Sequence, residues 1–429
     1  MSNTDPARTG VWLVGLFGGV ATTTVLGLTA LRKRLIGDCG LVSQLPQFAP
    51  LNLVAWDDLI VGGHEIRQST LVAEATKLAR VSRAVDSSLI EACQGELAAI
   101  DRAVRPGVFW NAGQAIHALA DPAMQCGGER PWQSVERLQQ DLREFQAAHS
   151  LDRIIVVNVA STEPPTDMSQ FPSRWASLAR DLRDAHDCRL PASCFYAIAA
   201  LDLGWPYINF TPSLGSTLPA IGELARERGT CHMGQDGKTG ETLLKSVLAP
   251  MFAHRNLDVM SWVGHNIFGN LDGQVLDDPA NKQSKVATKD RVLGQVLGYA
   301  PQTLVSIEYI KSLGDWKTAW DHVHFRGFLG TPMVLQFTWQ GCDSLLAAPL
   351  VIDLIRFTDR ACRQRDQGVL TFLASFFKSP LGTSEHNFER QFQLLESWAA
   401  RASQSTHTAT AETVTPPSAA FPMRGSGGS

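Results

Sequence analysis

The stretch Val11–Thr24, VWLVGLFGGVATTT, decides the fold that the sequence predicts. Its first four residues form a short apolar run that is typical of a buried strand. A glycine-rich turn follows, and Leu26, Leu28 and Leu31 then continue in a helical pattern. This order predicts a dinucleotide-binding unit, because glycines let the backbone approach a pyrophosphate and a helix N-terminus faces it with free N–H groups. The spacing is not GxGxxG, so a glycine-rich turn without a ligand stays an open alternative.

A second strand-like run, Leu59–Glu65, ends in glycines and an acid. In a compact dinucleotide-binding unit, the acid that binds the ribose follows about 20 residues after the glycine-rich turn. Nothing at that distance fits, so Glu65 is the candidate and Gly37–Pro50 would be an insertion. The alternative is that Glu65 lies next to a helix N-cap, and the spacing alone does not favour either interpretation.

A third strand is predicted at Arg153–Ala160, which is nearly continuous in apolar residues, as strands of parallel sheets are. Ser161 and Thr162 follow it, where open α/β sheets bind ligands. A helical run at Cys194–Leu203 and a short strand at Tyr207–Phe210 continue the alternation. Strands that alternate with helices predict an α/β protein with a doubly wound parallel sheet.

Composition narrows the class of protein. The chain has 429 residues, which is enough for two or three domains, and its 44% hydrophobic and 19% charged residues fit a soluble globular protein. A net charge of −4 gives no electrostatic case for nucleic-acid binding. The eight cysteines form no CxxC pair and no zinc spacing, which indicates reduced thiols in the cytoplasm. The apolar segment Val11–Ala30 is interrupted by glycines and threonines, so neither a membrane span nor a signal peptide is expected.

The stretch Gly269–Lys289 brings lysines together. It opens with a turn, and Lys282, Lys285 and Lys289 then follow at spacings of three and four, which puts their amines on one face of a helix. In a closed cleft, each ammonium would lower its neighbours' pKa, and one could serve as a general acid or base. The alternative, a solvated basic face without chemistry, is more common for such a run.

The turn Gly234–Gly240 precedes a helical pattern at Glu241–Phe252. Its glycines, lysine and threonine suggest a P-loop, but the spacing does not fit GxxxxGK[ST], so a nucleoside triphosphate site is not expected. An anion site at this helix start stays open.

Further along, Asp315 and Lys317 are predicted to lie at a strand-to-helix turn, and Lys378 ends an apolar segment that is predicted to be helical. A Thr/Ser/Ala/Pro-rich tail from about Ser403 is expected to be disordered. The other elements predicted in this half are a strand at Val305–Ile310, a strand at Met333–Trp339, a helix at Leu345–Phe357 and a helix at Val369–Phe377.

Taken together, blocks of this sequence resemble the myo-inositol-1-phosphate synthase family over roughly Val11 to Gly382. Six blocks in order make the likeness specific, where any single block would be weak. They are GQDGKTGETLLKS at Gly234–Ser246, GNLDG at Gly269–Gly273, the SK and TK pairs at Lys285 and Lys289, SLGDWKTAWD at Ser312–Asp321, CDSLLAAPLVIDL at Cys342–Leu354 and LTFLASFFKSPLG at Leu370–Gly382.

The resemblance implies an NAD-binding Rossmann domain interrupted by an α+β catalytic and oligomerisation domain, and a homotetramer. The corresponding boundaries are residues 1–242 for the Rossmann domain, 243–343 for the inserted domain, 344–402 for the return to the first domain and 403–429 for a disordered tail. It also implies NAD as a cofactor that is regenerated, and a hexose phosphate substrate. No metal site is expected from spacing, although some members of the family use a cation near the cofactor phosphates.

The resemblance assigns roles to individual positions, and the glycine-rich turn adds cofactor contacts. The catalytic candidates are Lys285, Lys289, Lys317, Lys378, Asp272 and Asp315. The substrate-binding candidates are Asn270, Asp236 and Lys238. The cofactor-binding candidates are Gly15, Gly18, Gly19, Val20, Ala21, Thr22, Glu65, Ser161, Thr162, Asp343 and Ser344.

Departures from the family pattern leave the sugar open. Val20 and Ala21 stand where the eukaryotic form carries two Asn, and Leu271 replaces a second Asn. The expected activity is closure of glucose 6-phosphate to 1D-myo-inositol 3-phosphate. The alternatives are the same mechanism on fructose 6-phosphate giving a five-membered carbocycle, a catalytically silent NAD- or sugar-phosphate-binding regulator, and a plain dehydrogenase.

Overall fold

The computed structural model describes residues 8–125, 128–276 and 293–411. Within these ranges, the strands form two sheets. The strands are β1 (Thr9–Val14), β2 (Leu59–Glu65), β3 (Val104–Pro106), β4 (Arg153–Asn158), β5 (Tyr207–Asn209), β6 (Cys231–Gly234), β7 (Asp258–Phe268), β8 (Gln302–Tyr309), β9 (Trp316–Arg326), β10 (Pro332–Cys342) and β11 (Gly368–Val369). The helices are α1 (Gly19–Arg32), α2 (Leu71–Ser82), α3 (Ser87–Asp101), α4 (Gln114–His117), α5 (Pro131–His149), α6 (Trp175–Asp184), α7 (Ala192–Asp202), α8 (Pro219–Glu227), α9 (Gly240–His254), α10 (Leu271–Leu276), α11 (residues 293–297), α12 (Asp343–Arg363) and α13 (Phe388–Ala411).

The first sheet has seven parallel strands in the order β11-β6-β5-β4-β1-β2-β3. β1 is an interior strand, and Val14 pairs with His64 of β2 on one side and with Asn158 of β4 on the other. The carboxyl ends of these three strands therefore lie side by side. The residues that follow them meet at one edge of the sheet, which is where parallel sheets bind ligands.

Helices cover both faces of this sheet. Alternate residues of β1 face opposite sides, and both sets are apolar and buried. Val11 and Leu13 pack in one core with α1, α12 and α13, whereas Trp12 and Val14 pack in a second core with α5, α7 and α8. This arrangement confirms the predicted doubly wound Rossmann-type sheet. Within the described ranges, no helix combines the length and the apolar character that crossing a membrane requires.

The second sheet has four strands in the order β10-β9-β7-β8, and β9 runs antiparallel to both of its neighbours. It lies between β6 and β11 in the sequence, and β11 then pairs with β6 at the edge of the first sheet. The chain thus leaves the Rossmann-type sheet, builds a separate sheet and returns, as the resemblance implied. The exact domain boundaries remain predictions.

The expected strand-to-helix turn at Asp315 and Lys317 is wrong, because strand β9 begins at Trp316. Lys317, Ala319, Asp321 and Val323 all face inward on this strand. A lysine and an aspartate among the inward residues hide the period-two alternation of apolar residues on which sequence-based recognition of a strand depends.

Two further expectations need correction near the edges of the first sheet. Val369–Phe377 is not an α-helix: Val369 ends β11, and Thr371–Phe376 forms a short 3₁₀ helix. Tertiary packing holds this short 3₁₀ helix in place: Phe372 stacks on Trp398 of α13 with ring centroids 4.0 Å apart. The strand predicted as the third is the fourth along the chain, because the three-residue strand β3 pairs with β2.

The expected disorder from Ser403 onward is wrong for the first part of the tail, because α13 continues to Ala411. Ala402 is buried, and its carbonyl accepts hydrogen bonds from Arg360 and Gln364 of α12. A helix already fixed by packing extends at little cost, because each added residue gains a backbone hydrogen bond. Residues 412–429 lie outside the described ranges.

Candidate active site

A cavity of about 520 Å³ lies at the carboxyl edge of the parallel sheet and reaches the second sheet. Most of the predicted site residues line it, although they come from segments far apart in the sequence. They are Gly15, Gly18, Gly19, Val20, Thr22, Glu65, Ser161, Thr162, Asp236, Asn270, Asp272, Asp315, Lys317, Asp343, Ser344 and Lys378.

The glycine-rich turn fits tightly between two neighbouring segments. Gly15 has a φ of +84°, and a Cβ there would lie 2.8 Å from the Cα of Ala160. A Cβ on Gly19 would lie 2.4 Å from the Oγ of Ser344, the second residue of α12. At Gly15 the added atom would meet backbone at a positive φ, and at Gly19 it would displace the Ser344 hydroxyl that donates to Asp315. The glycines are therefore required by close approach, and the turn is held between the end of β4 and the start of α12.

The start of α1 offers hydrogen-bond donors to an anion. The helix begins at Gly19 without a side-chain cap and without an acid in its first turn. The buried hydroxyl of Thr22, which lines the cavity, has no hydrogen-bond partner among the described residues. Free backbone N–H groups and an unpaired hydroxyl are what a pyrophosphate requires, so the turn fits NAD. Ala21 is buried in the core and can contribute only its backbone N–H.

Glu65 lies on the cavity wall, but its carboxylate is engaged by the backbone. One oxygen accepts from the N–H of Phe17 at 2.7 Å, and the other accepts from Ile66 at 2.8 Å and Arg67 at 3.2 Å. The acid that ends β2 therefore ties down the glycine-rich turn. A carboxylate has about four acceptor sites, so Glu65 still has acceptor capacity for a ribose hydroxyl.

Asp315 connects three segments of the site. One carboxylate oxygen accepts from Asn270 Nδ2 and from Ser344 Oγ, each at 3.0 Å. The other accepts from the backbone N–H of Ser344 at 2.9 Å and from the thiol of Cys342 at 2.8 Å. Burial, and then the neighbouring charge of Asp343, raise the pKa of the Asp315 carboxyl. With four donors, this carboxylate positions the turn before α10 and the start of α12.

Two lysine amines in the cavity are paired with carboxylates. Lys317 Nζ lies 3.4 Å from Asp343 Oδ1 and 5.0 Å from the ring centroid of Phe268. Lys378 Nζ donates to Asp236 Oδ1 at 2.7 Å, and both residues are buried. Each amine is thus held in place by a carboxylate. The cavity therefore holds fixed positive charge beside the candidate cofactor turn.

Comparison with known proteins identifies the family. A family model for NAD binding, described as myo-inositol-1-phosphate synthase, matches residues 9–400. The chain belongs to the myo-inositol-1-phosphate synthase family. These enzymes are intramolecular lyases. The likeness extends over nearly the whole chain, which confirms the resemblance on which the site assignments depend.

Individual relatives in this family agree. The chain is 34% identical over 408 residues to inositol-3-phosphate synthase 1 of Bacteroides thetaiotaomicron, covering 90% of this chain and 91% of that protein. It is 32% identical to inositol-3-phosphate synthase 1 of Rattus norvegicus, covering 88% and 69%. The structure of inositol-3-phosphate synthase from Caenorhabditis elegans superposes with a TM-score of 0.84 at 24% identity, covering 97% and 90%, and so shares the fold.

One residue assigned through the family blocks does not reach the cavity. Lys238 is buried with its amine on the amide oxygen of Gln391 in α13, and it does not line the cavity wall. Burial, and then the charge of Lys378, lower the pKa of Lys238 to about 7. The expected substrate contact through this side chain therefore needs correction: Lys238 faces the C-terminal helix because its segment pairs with the segment that carries Lys378.

The turn that begins with Asn270 is placed at the cavity, but part of the family's lysine block is not described. Asp272 accepts a hydrogen bond from Thr162 at 3.3 Å, which links this turn to the end of β4. Lys285 and Lys289, like Lys282, lie outside the described residues, and so does the side chain of Leu271. Their roles in the family remain predictions for this chain.

Sequence reasoning missed polar residues that follow β5. Thr211 and Ser213 line the cavity, and Ser213 Oγ accepts from the N–H of Glu163. Glu163 is buried, with its carboxylate on the backbone N–H and hydroxyl of Ser193 at the start of α7. Burial raises the pKa of Glu163 to about 7. The rule that singled out Ser161 and Thr162, polar residues past a strand's carboxyl end, would also have found Thr211 and Ser213.

The described residues contain no group of three or more His, Cys, Asp and Glu side chains that could hold a metal ion. The acids of the cavity are instead matched with amines and hydrogen-bond donors, as for Asp236, Asp315 and Asp343. The chemistry that these side chains can perform is proton transfer and stabilisation of negative charge.

Proposed function

We propose that this protein closes a hexose 6-phosphate to a cyclitol phosphate with bound NAD, and that it converts glucose 6-phosphate to 1D-myo-inositol 3-phosphate. The observation that carries the proposal is that the pairs Lys317–Asp343 and Lys378–Asp236 line the same cavity as the glycine-rich turn. The printed names of the relatives, inositol-3-phosphate synthase, support this substrate and product.

The residues that would hold NAD are the glycine-rich turn with Thr22 for the pyrophosphate, and Glu65 with Ser161, Thr162, Asp343 and Ser344 around it. Bound NAD would supply reversible removal and return of a hydride at C5 of the sugar. The chain's own contribution is to position the sugar beside the cofactor and to keep it in a shielded cavity. A cation near the cofactor phosphates, which some members of the family use, remains part of the proposal.

The lysines would carry the proton transfers and offset the charges that develop. With a ketone at C5, the proton at C6 becomes acidic, and its loss gives an enolate that attacks the C1 aldehyde. Enolate and alkoxide oxygens both build negative charge, which the ammonium groups of Lys317 and Lys378 would stabilise. Lys285 and Lys289 are proposed to share this work through the family block. The base must be an amine that has lost its proton, and crowding among amines favours that state.

The phosphate of the substrate is proposed to bind at the start of α9. Thr239, the N-cap residue of this helix, lines the cavity. The buried hydroxyl of Thr242 in the first turn and the indole N–H of Trp339 have no hydrogen-bond partner among the described residues. The Trp339 Nε1 lies 3.1 Å from where a Cβ on Gly240 would be. Unpaired donors beside a helix N-terminus form a site suited to a phosphate.

We further propose a homotetramer in the cytoplasm. One face of the second sheet exposes apolar side chains of Leu304, Trp320 and Val334, and the turn before β10 exposes Phe328 and Leu329 almost fully. Apolar patches of this kind mark protein–protein contacts. The seven described cysteines are all free thiols, which fits a reducing compartment.

A substrate panel tests this proposal. Purified protein with NAD is given glucose 6-phosphate or fructose 6-phosphate, and the products are identified by NMR. Inositol 3-phosphate from glucose 6-phosphate supports the proposal. A five-membered carbocycle from fructose 6-phosphate would instead establish the alternative substrate, accumulation of reduced nicotinamide would establish a dehydrogenase, and binding without turnover would establish a regulator.

A further inference from the structure

Among the described residues, three charged side chains form a cluster beneath the second sheet and outside the cavity. Glu241 and Lys245 are on α9, and Asp321 is on the inward face of β9. Their exposed fractions are 2%, 1% and 0%. Burying charges is costly unless they are paired, because each loses its hydration. The proposed chemistry does not use these side chains, so their presence requires another explanation.

The contacts within the cluster are close. Lys245 Nζ lies 2.5 Å from Glu241 Oε1 and 3.7 Å from Asp321 Oδ1. The indole N–H of Trp262 donates to the same oxygen of Asp321 at 2.7 Å. A Cβ on Gly264 would lie 2.7 Å from Glu241 Oε1, 3.0 Å from Asp321 Oδ1 and 3.3 Å from Lys245 Nζ. The neighbouring strand β7 carries a glycine at this position, which leaves the space that the three charged groups occupy.

The cluster lies between two parts of the candidate active site. Glu241 is the second residue of α9, whose N-cap residue Thr239 lines the cavity. Asp321 is on the same strand and the same inward face as Lys317. The ion pairs therefore join the helix start that is proposed to bind phosphate to the strand that carries a candidate catalytic lysine.

The charge of Glu241 would oppose an anion at that helix start. A carboxylate in the first turn occupies the place where the helix attracts negative charge, and an unneutralised one would repel a phosphate there. Lys245, one turn later on α9, brings an ammonium to this carboxylate. The donors of Thr242 and Trp339, which have no hydrogen-bond partner in the described part of the chain, are then left to bind a ligand.

We propose that Lys245 is a positioning residue for the substrate's phosphate: it neutralises Glu241 and ties the start of α9 to β9, so that this helix start accepts an anion. The proposal rests on the proposed function for the identity of the anion. The competing explanation is that the cluster only holds α9 against the sheet. The two explanations differ because packing determines how much protein is folded, whereas charge determines how tightly the folded protein binds phosphate.

The test compares three variants with wild type: Lys245→Met, the charge-balanced double variant Glu241→Gln with Lys245→Met, and Lys33→Met as a control. Lys33 forms an exposed ion pair with Glu96, far from α9 in the sequence. Calorimetry measures the affinity of the NAD-loaded proteins for glucitol 6-phosphate, which has no carbonyl to close on. The measurement is made at about pH 8, where carboxylates are ionised. Melting temperatures are recorded for each protein.

We expect Lys245→Met to weaken binding at least about tenfold, and the double variant to return to within about threefold of wild type. Lys33→Met should bind as wild type does. Equal affinity of wild type, single and double variants, with only the melting temperature lowered, would overturn the proposal in favour of packing. The binding pattern decides this even if no hexose phosphate is turned over, so failure of the proposed function is separate from failure of this inference.

Discussion

Lys378 donates a hydrogen bond to Asp236 at 2.7 Å, and the two residues are brought together from positions 142 apart in the sequence. The segments that carry them run antiparallel: the N–H of Lys378 donates to the carbonyl of Asp236, and the N–H of Lys238 donates to the carbonyl of Phe376. A turn after β6 and the chain's return to the first sheet thus build one wall of the cavity together.

The first prediction concerns the lysines. Replacement of Lys317, Lys378, Lys285 or Lys289 by Ala should lower turnover at least about a hundredfold, the usual scale for a positioned proton-transfer or charge-stabilising group. Cyclitol formation is measured at steady state, with NAD content and melting temperature as checks on folding. The matched control is Lys282→Ala, which should stay within a few-fold of wild type. Near-normal rates for both Lys285→Ala and Lys289→Ala would refute the catalytic assignment of that stretch.

The second prediction concerns the cofactor turn. Purified protein should carry NAD, released on denaturation, and Gly19→Ala should lose most of it, because the added Cβ would lie 2.4 Å from Ser344 Oγ and displace the turn. Gly37→Ala is the control, since a Cβ there meets nothing within 4 Å. Absence of NAD from wild type, together with no binding by calorimetry, would show that the cofactor assignment is wrong.

The third prediction concerns Lys238, whose pKa is lowered to about 7 by burial and by Lys378. Above that pH, the unfolded chain holds a proton on this lysine that the folded chain lacks. The free energy of unfolding should therefore gain up to about 1.4 kcal/mol per pH unit from this group as the pH rises from about 7 to about 9. Urea unfolding of Lys238→Met should lack this gain, and Lys33→Met should retain it. Identical pH dependence of wild type and Lys238→Met would contradict the buried environment described for this amine, against the amide oxygen of Gln391.

The fourth prediction concerns assembly through residues 243–340. Light scattering should show an oligomer, and a tetramer is expected. Leu304→Glu combined with Val334→Glu should dissociate it, because the changes place charges on the exposed apolar face of the second sheet. Leu45→Glu, at an exposed apolar residue outside this region, should leave the assembly intact. A stable wild-type monomer at micromolar concentration would reject the prediction.

Much of the architecture was predictable from the sequence because its signals are local. The apolar run, glycine-rich turn and helix of Val11–Thr24 produced β1 and α1, and Arg153–Ala160 produced β4, as parallel strands buried on both faces should. The paired lysines and acids came instead from the family blocks. Sequence spacing cannot show that Lys378 meets Asp236, since this contact depends on how distant segments pair.

The failures have physical causes. Strand β9 was missed because Lys317 and Asp321 occupy inward positions, and the alternating pattern of a strand predicts apolar residues there. Lys238 was assigned to substrate through the family block at Gly234–Ser246. Its neighbours Asp236 and Thr239 do line the cavity, whereas its own side chain contacts Gln391 of α13. Whether a charged group is buried depends on its tertiary partners, which a local sequence pattern does not predict.

The most direct test of the central claim is the stoichiometry of cyclisation. Protein loaded with NAD, and freed of excess cofactor, is given a large excess of glucose 6-phosphate, and inositol 3-phosphate is counted by NMR while reduced nicotinamide is followed by absorbance. The account predicts many molecules of product for each bound NAD and no net accumulation of reduced cofactor, because the hydride is returned within each turnover. Reduced nicotinamide rising in step with an oxidised sugar phosphate, with no cyclitol formed, would contradict it.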